Sequence, residues 1–152
     1  MSCEAGVVTR LWTIGYERLL PEMLVAELRA AGVRRVIDVR FRPQSRRPGM
    51  SKTRLAALLA EHGIAYEHRR ALGTPPDLRV LFREGRLDEA RSAYRRHVEA
   101  EAAGDLDALA AELPAAAPTA LLCLEADPAG CHRRIVAEAL ARRRGDLAVI
   151  DL

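Results

Sequence analysis

The chain has 152 residues, of which 49% are hydrophobic, so it can bury one sizeable core and we expect residues 1–152 to form a single domain. Its 24 basic and 21 acidic residues leave a formal net charge of +3, which excludes a histone-like protein and does not by itself establish nucleic-acid binding. No apolar stretch approaches the ~20 residues that a membrane-spanning helix needs, so we expect no membrane segment.

Two strands and a helix are predicted in the first part of the chain. Residues 7–14 are rich in strand-forming side chains and end at Gly15. Residues 19–31 place apolar side chains at helical spacing before Gly32. The β-branched run 35–40 is predicted as the second strand.

A loop, a helix and a third strand follow. Residues 41–49 contain two prolines, a glycine and three arginines, a composition typical of a loop. We expect Ser51 to cap the next helix by accepting a hydrogen bond from a free amide, and Gly63 to end it. Residues 64–69 are predicted as the third strand.

The second half of the chain predicts a helical insertion and then three regular elements. After a turn at residues 73–76, residues 87–113 are interpreted as one or two helices, broken near Gly104 and Asp105, that form a cap or crossover. The remaining elements are a buried fourth strand, an amphipathic helix closed by Gly145 and a final strand, at residues 119–124, 131–144 and 147–152.

The alternation of strands and helices defines the expected fold class. We predict an α/β protein with three layers: a mostly parallel open sheet of about five strands, helices on both faces, and a helical insertion before the fourth strand. In such a sheet, ligands bind beyond the carboxyl ends of the strands. The residues at those ends are therefore the candidates for a functional site.

Polar and titratable side chains collect at these strand ends. Loops of this kind are polar in every soluble protein, but this set joins arginines with cysteine and histidine in a chain that holds only four histidines. The candidates are Gly15, Tyr16 and Glu17 after the first strand; Asp38, Arg40, Arg42, Ser45 and Arg46 after the second; His68 and Arg69 after the third; and Cys123, Glu125, Asp127, Cys131, His132 and Arg133 after the fourth.

The arginine-rich loop after the second strand predicts an anion site. Arg40, Arg42 and Arg46 lie close together in the sequence with Ser45, so they could converge on a phosphate or carboxylate through charge-assisted hydrogen bonds. The alternative is an ordinary solvated loop. The partner we expect is an anionic small molecule or a nucleic acid.

Residues 123–133 are the most informative segment of the sequence. A helix that begins near Gly130 would direct its free amides toward Glu125. Cys131 would lie in the first turn of that helix, where the helix dipole and Arg133 or Arg134 would stabilise a thiolate and produce a nucleophile. The alternative is a small buried thiol that packs against the sheet.

Glu125 and His132 are the predicted proton-transfer groups. Burial beside His132 would shift the pKa of Glu125 toward neutrality and suit it to general acid or base work. A salt bridge to Arg133, or capping of helix amides, would explain Glu125 equally well. Cys123 lies within a strand, where it can simply pack, and His68 either faces a ligand or is a satisfied core histidine.

The same cysteines and histidines do not predict a metal site. Cys123, Cys131, His132 and His68 lack the spacing of a zinc knuckle, and adjacent Cys–His side chains seldom share one ion. A phosphatase loop would need an arginine where the sequence has Ala129. We therefore expect no metal and no cofactor.

Four motifs run in order along nearly the whole chain. They are Thr13–Tyr16; Ile37–Arg40 with Pro43, Ser45 and Arg46; Gly63–His68 with Leu72–Gly73; and Cys123-x-Glu125-x-x-Pro128-x-x-Cys131-His132-Arg133. Together they resemble the bacterial and archaeal domain-of-unknown-function 488 family. The resemblance implies a small stand-alone α/β protein and supports the candidate residues, with Pro43, Gly73 and Cys123 among the anion-binding ones, without supplying a reaction. Thr74 stands where many relatives carry a second glycine, which stiffens that turn.

The candidate residues support three functions. The preferred hypothesis is an enzyme that hydrolyses or transfers a group on a phosphate-bearing or other anionic substrate, related to a nucleotide or nucleic acid. Arginines would clamp the anion, Glu125 or His132 would move a proton, and Cys131 would attack. The alternatives are a non-catalytic nucleotide- or nucleic-acid-binding module and a cysteine-based redox or sulfur-transfer protein.

The three cysteines and the lack of a secretory leader pattern predict a cytoplasmic location.

Overall fold

Strands and helices alternate along the chain in the computed structural model, which describes residues 8–113 and 117–152. The strands are β1 (Thr9–Gly15), β2 (Arg35–Asp38), β3 (Ala65–His68), β4 (Thr119–Cys123) and β5 (Leu147–Asp151). The helices are α1 (Pro21–Ala30), α2 (Lys52–Glu61), α3 (Pro76–Arg83), α4 (Leu87–Glu101), α5 (Ala103–Glu112) and α6 (Arg133–Arg143), and short 3₁₀ turns cover Arg70–Leu72 and Pro128–Gly130.

The strands form one parallel sheet in the order β3-β2-β4-β1-β5. The fourth strand in the chain therefore lies between the first two. Its first residue, Thr119, pairs with Leu11 of β1 on one side and with Arg35 of β2 on the other. Every residue of β4 is buried, as expected for a central strand that is covered on both faces.

Helices cover both faces of the sheet and divide the core in two. On one face, α1 and α2 bury leucines such as Leu28 and Leu59. On the other face, the insertion helices and α6 bury Tyr94, Leu106 and Ile135. The predicted three-layer α/β fold, with an open parallel sheet and a helical insertion before the fourth strand, is confirmed.

The helical insertion differs from its predicted form. It contains three helices, because α3 begins at Pro76 in a segment for which no helix was predicted; proline suits a first helical position, where its missing N–H is not needed. The break between α4 and α5 falls at Ala102, whereas the sequence placed it near Gly104 and Asp105, which lie inside α5.

Two predicted helix starts also differ. The helix after β4 begins at Arg133, because the backbone at Cys131 is extended (φ −132°, ψ 144°) and cannot continue a helix from Gly130. Ser51 does precede α2, but its Oγ bonds the backbone of Ser45, accepting from N at 3.0 Å and donating to O at 3.2 Å. Ser51 therefore closes the arginine-rich loop and leaves the helix amides uncapped.

Two residues that the sequence analysis used lie outside residues 8–113 and 117–152. They are Val7, the first residue of the first predicted strand, and Cys3, one of the three cysteines. Over those described ranges, none of the helices combines the length and the apolar character that crossing a bilayer requires.

A side chain at Gly73 would collide with the loop after β2. A Cβ there would lie 2.4 Å from both Cα and N of Phe41, which are backbone atoms and cannot rotate away. We expect Gly73→Ala to lower the free energy of unfolding by about 1–3 kcal/mol, as overpacking does, measured by urea denaturation.

Gly104→Ala is the matched control. Gly104 lies in α5, and a Cβ added there would meet no heavy atom within 4 Å, so alanine should stabilise the helix by about 0.5–1 kcal/mol. Equal unfolding energies for the two variants would contradict the close approach of Gly73 to Phe41.

Candidate functional site

The position of β4 between β1 and β2 opens a crevice at the carboxyl ends of the strands. The chain leaves β1 and β2 toward helices on one face, but it leaves β4 toward α6 on the opposite face. Loops that diverge in this way form the usual ligand crevice of an open parallel sheet. A cavity of about 660 Å³ occupies it, lined by the loops after β1, β2 and β4 and by α3.

Two cysteines and a histidine meet at the inner wall of this cavity. His132 Nδ1 lies 3.7 Å from Cys123 Sγ and 3.8 Å from Cys131 Sγ. The other ring nitrogen, Nε2, donates a hydrogen bond to the Val39 carbonyl oxygen at 2.6 Å. Because a carbonyl oxygen only accepts, the proton of the neutral ring belongs on Nε2, and the Nδ1 lone pair faces both thiols.

The pKa values of the two thiols and the imidazole depend on one another. A hydrogen bond with Cys131, together with burial, raises the pKa of the Cys123 thiol well above its usual value. Burial also raises the pKa of Cys131, but the hydrogen bond from Cys123 and the charge of His132 outweigh it, and the net pKa lies well below the usual value. Burial lowers the pKa of His132, but the charge of Cys131 and its hydrogen bond outweigh burial, so the net pKa of His132 is raised. These directions make Cys131 the more acidic of the two thiols.

Glu125 stands beside this cluster. Its Oε2 lies 3.7 Å from Cys123 Sγ. Burial, and after it the charge of Cys131, raises the pKa of Glu125 to about 7. Arg133 contacts the backbone carbonyl of Glu125, so the salt bridge that the sequence offered as an alternative is not what this structure contains. The carboxyl group can exchange a proton near neutral pH.

Arg40 is anchored inside the protein by a buried carboxylate. Its Nη2 donates to Asp38 Oδ2 at 2.7 Å, and its Nη1 donates to the Tyr16 hydroxyl at 3.1 Å and the Met50 carbonyl at 2.8 Å. Tyr66 donates its hydroxyl to the same carboxylate. Burial opposes the charge, but the hydrogen bond and charge of Asp38 raise the pKa of Arg40 above its usual value. Arg40 therefore lines the cavity with most of its donors already used.

Arg133 fixes the loop after β4. It is fully buried, and it donates to Thr13 Oγ1 at 3.2 Å, to the Glu125 carbonyl, and to the Ala126 carbonyl at 3.3 Å. Gly15 makes this arrangement possible, because a Cβ there would fall 1.7 Å from the Glu125 carbonyl oxygen. Both residues hold the wall of the cavity in place from behind.

Arginines at the mouth of the cavity remain available. Arg42, Arg46, Arg79 and Arg83 are exposed lining residues, and no carboxylate of the described chain lies within 4.0 Å of their guanidinium nitrogens. Glu125 supplies the one carboxylate on the described wall. The mouth of the cavity therefore carries an excess of positive charge.

Thr74 adds an unsatisfied polar atom to the same cavity. Its side chain is 3% exposed, it lines the wall, and its Oγ1 has no hydrogen-bond partner among the residues that the structure describes. Leaving a buried hydroxyl unpaired costs about 1–3 kcal/mol, so a ligand oxygen that bonds to it would remove that cost. This hydroxyl is therefore free to form a hydrogen bond with a polar group that enters the cavity.

A second, more open depression of about 730 Å³ lies beside the arginine loop. It is lined by residues between Pro43 and Arg54 and includes no cysteine, histidine or carboxylate. Because it lacks reactive groups, we assign the site to the cavity at β4.

The predicted site residues divide into lining and supporting ones. Among them, the residues that line the cavity are Tyr16, Arg40, Arg42, Ser45, Arg46, Cys123, Glu125 and His132. Gly15, Gly73, Cys131 and Arg133 support it without lining it, and Pro43 faces the second depression. His68 also lies off the cavity wall, where its Nε2 bonds the Arg40 carbonyl oxygen at 2.7 Å.

Several functional candidates were missed from the sequence. Arg79 and Arg83 line the cavity from α3. They are four residues apart, so they share one face of that helix. The proline pair at 75–76 could have indicated that a helix begins there. Arg47 donates to the carbonyls of Tyr16 and Leu19 at 2.5 and 2.6 Å. These hydrogen bonds of Arg47 depend on tertiary contacts, and no local sequence pattern indicates them.

The fold and the site define an α/β protein with an arginine-rimmed Cys–His cavity at the carboxyl ends of its strands. Residues 21–140 of the 152 match the family described as Domain of unknown function DUF488, and the chain belongs to it. The resemblance seen in the sequence motifs is thereby confirmed. Neither a curated protein nor a solved structure gives a significant match.

Asp38→Asn tests the buried ion pair. The substitution would leave the Arg40 guanidinium charged in a site where that residue is 5% exposed, so we expect the free energy of unfolding to fall by about 3–5 kcal/mol. Urea denaturation at neutral pH measures the change.

Glu89→Gln provides the control for this prediction. It breaks an ion pair with Arg86 in which both side chains are about half exposed, at 53% and 54%, and should leave stability essentially unchanged. A loss at Asp38 no larger than the loss at Glu89 would show that the buried pair does not hold the wall.

Proposed function

We propose that this protein is an enzyme that acts on a phosphate-bearing or similarly anionic substrate, a nucleotide or a nucleic-acid end, by hydrolysis or group transfer. The observation that carries the proposal is the pairing of exposed mouth arginines with a buried thiol, imidazole and carboxylate in one cavity. Arginines bind phosphate through charge-assisted and often bidentate hydrogen bonds. A bound anion would lie next to the reactive groups of the wall.

The contacts of each arginine support a division of roles. Arg46 and Arg83, which are exposed lining residues, clamp the anion, and the unpaired Thr74 hydroxyl gives it a further hydrogen bond. Arg40 and Arg133 hold the wall, since their donors bond Asp38 and backbone carbonyls. Anion binding is thus assigned to the outer arginines of the cavity.

The buried groups supply the chemistry in this proposal. Glu125 exchanges a proton with the substrate, and Cys123 and His132 line the cavity beside it. Cys131 is 1% exposed and lies behind His132, so it acts through the imidazole. Both cysteines are free thiols, which supports a reducing, cytoplasmic location.

Arg46→Ala and Arg83→Ala test the anion clamp. Each variant should weaken binding of ATP about tenfold, because a hydrogen bond to a charged group contributes ~1.5–3 kcal/mol. Isothermal titration calorimetry at fixed salt measures the affinity.

Arg34→Ala is the control. Arg34 is exposed just before β2, at the opposite edge of the sheet, and its loss should leave the affinity for ATP unchanged. Equal weakening by all three variants would indicate diffuse charge attraction and contradict the clamp.

Glu125→Gln separates an enzyme from a binding module. We expect the variant to bind ATP or a 5′-phosphorylated oligonucleotide at least as tightly as the wild type, because a carboxylate on the wall is removed, and to form product at less than about a hundredth of the wild-type rate. Mass spectrometry of the incubated substrates measures turnover. A wild-type protein that binds both ligands, with affinity that falls steeply with salt, and converts neither would favour the binding module.

A further inference from the structure

The cysteines and the histidine at the inner wall have the form of a metal site. We propose that Cys123, Cys131 and His132 bind one zinc ion through their two Sγ atoms and Nδ1, with a fourth position open to the arginine-rimmed cavity. The metal site stands on its own geometry. The role of its open position rests on the proposed function.

The donor atoms have the spacing that a tetrahedral zinc ion requires. Zinc bonds of about 2.3 Å to sulfur and about 2.0–2.1 Å to nitrogen put a sulfur and a nitrogen ligand about 3.6 Å apart at tetrahedral angles. The observed separations from His132 Nδ1 are 3.7 Å to Cys123 Sγ and 3.8 Å to Cys131 Sγ. All three atoms lie within 4.8 Å of one another. A single ion can therefore reach all of them with small side-chain shifts.

The imidazole is already oriented as a metal ligand. Its Nε2 donates to the Val39 carbonyl at 2.6 Å, and metal-binding histidines ordinarily donate their other ring N–H to a carbonyl or carboxylate in this way. Tyr94 packs edge-on against the ring, with centroids 5.3 Å apart and an interplanar angle of 68°. Both contacts fix the ring independently of the two thiols, and they leave Nδ1 aimed between the sulfurs.

The backbone explains how neighbouring residues serve one ion. Cys131 is extended, with φ −132° and ψ 144°, whereas His132 has helical angles of φ −64° and ψ −19°. The change of conformation between them turns both side chains to the same side. Because of this local turn, the adjacency of Cys131 and His132 in the sequence does not prevent them from sharing an ion.

The chemistry of the donor set favours zinc. Two thiolates and an imidazole are soft and intermediate ligands that select zinc over magnesium or calcium. Cys123 is only 5% exposed, Cys131 1% and His132 6%. A metal ion bound to them would therefore be shielded from competing solvent ligands.

The fourth position belongs to the cavity. Cys123 and His132 line it, while Cys131 lies behind them. Glu125 touches Cys123 at 3.7 Å but is not within the group of three donors, so it stands next to the ion without binding it. A zinc site with three protein ligands keeps its remaining position for water or a substrate oxygen. The mouth arginines make an anionic oxygen the ligand that fits there.

Zinc content and cobalt spectra test the site directly. The full-length wild type is purified with a reductant, loaded with zinc and desalted, and we expect about one zinc per chain by plasma mass spectrometry. Replacement by cobalt(II) should give the absorption of a tetrahedral site with thiolate charge-transfer bands. Cys123→Ser and Cys131→Ser should each remove about half of the charge-transfer intensity, and His132→Gln should lower metal affinity at least about tenfold.

Two variants serve as controls for these substitutions. His62→Gln changes an exposed histidine at the end of α2 and should retain a full equivalent of zinc. Glu125→Gln should retain it as well, because Glu125 is not one of the donors. Retention of full zinc by both cysteine variants would overturn the proposal.

The wild type also provides a test that needs no substitution. Removing the metal with a chelator and restoring it should lower and then raise the thermal midpoint, since a ligand of the folded state stabilises it. A wild type that retains less than about a tenth of an equivalent of zinc, with no rise in midpoint, would overturn the metal site. Zinc binding without ATP affinity would instead count against the proposed function alone, and ATP affinity without zinc against the metal site alone.

Discussion

One hydrogen bond, from His132 Nε2 to the carbonyl of Val39, decides what the site can do. It holds the imidazole with Nδ1 toward Cys123 and Cys131. The carbonyl itself is held by the sheet, because the Val39 amide donates to Leu122 of β4 at 3.1 Å. Insertion of β4 beside β2 thus positions both the strand-end thiol and the acceptor that orients the histidine.

The arginines of the cavity act in two layers. Arg40 and Arg133 are buried and donate hydrogen bonds to Asp38 and to backbone carbonyls, so they hold the wall of the cavity in place. Arg46 and Arg83 are exposed and line the mouth of the cavity. Permanent charge and many donors suit arginine to both layers, and lysine would serve neither as well.

The location of the site could be predicted from the sequence, because alternating strands and helices place every strand end at one edge of a parallel sheet. Tyr16, Arg46, Cys123 and His132 line the cavity for that reason. The partner of each side chain could not be predicted in the same way. His68, at an equivalent strand end, faces the Arg40 carbonyl instead. The place of Thr74 depends on a contact that no local pattern encodes, because the neighbouring Gly73 packs directly on the backbone of Phe41, thirty-two positions earlier in the sequence.

The proposed zinc site and the proposed anion site would be coupled through the open fourth position. Zinc bound by two thiolates is formally neutral, so the metal would add no net negative charge to the wall that the mouth arginines face. A substrate oxygen on the fourth position would also hold the metal more tightly, because coupling between two bound ligands is reciprocal. Metal affinity and anion affinity in this cavity would therefore rise together.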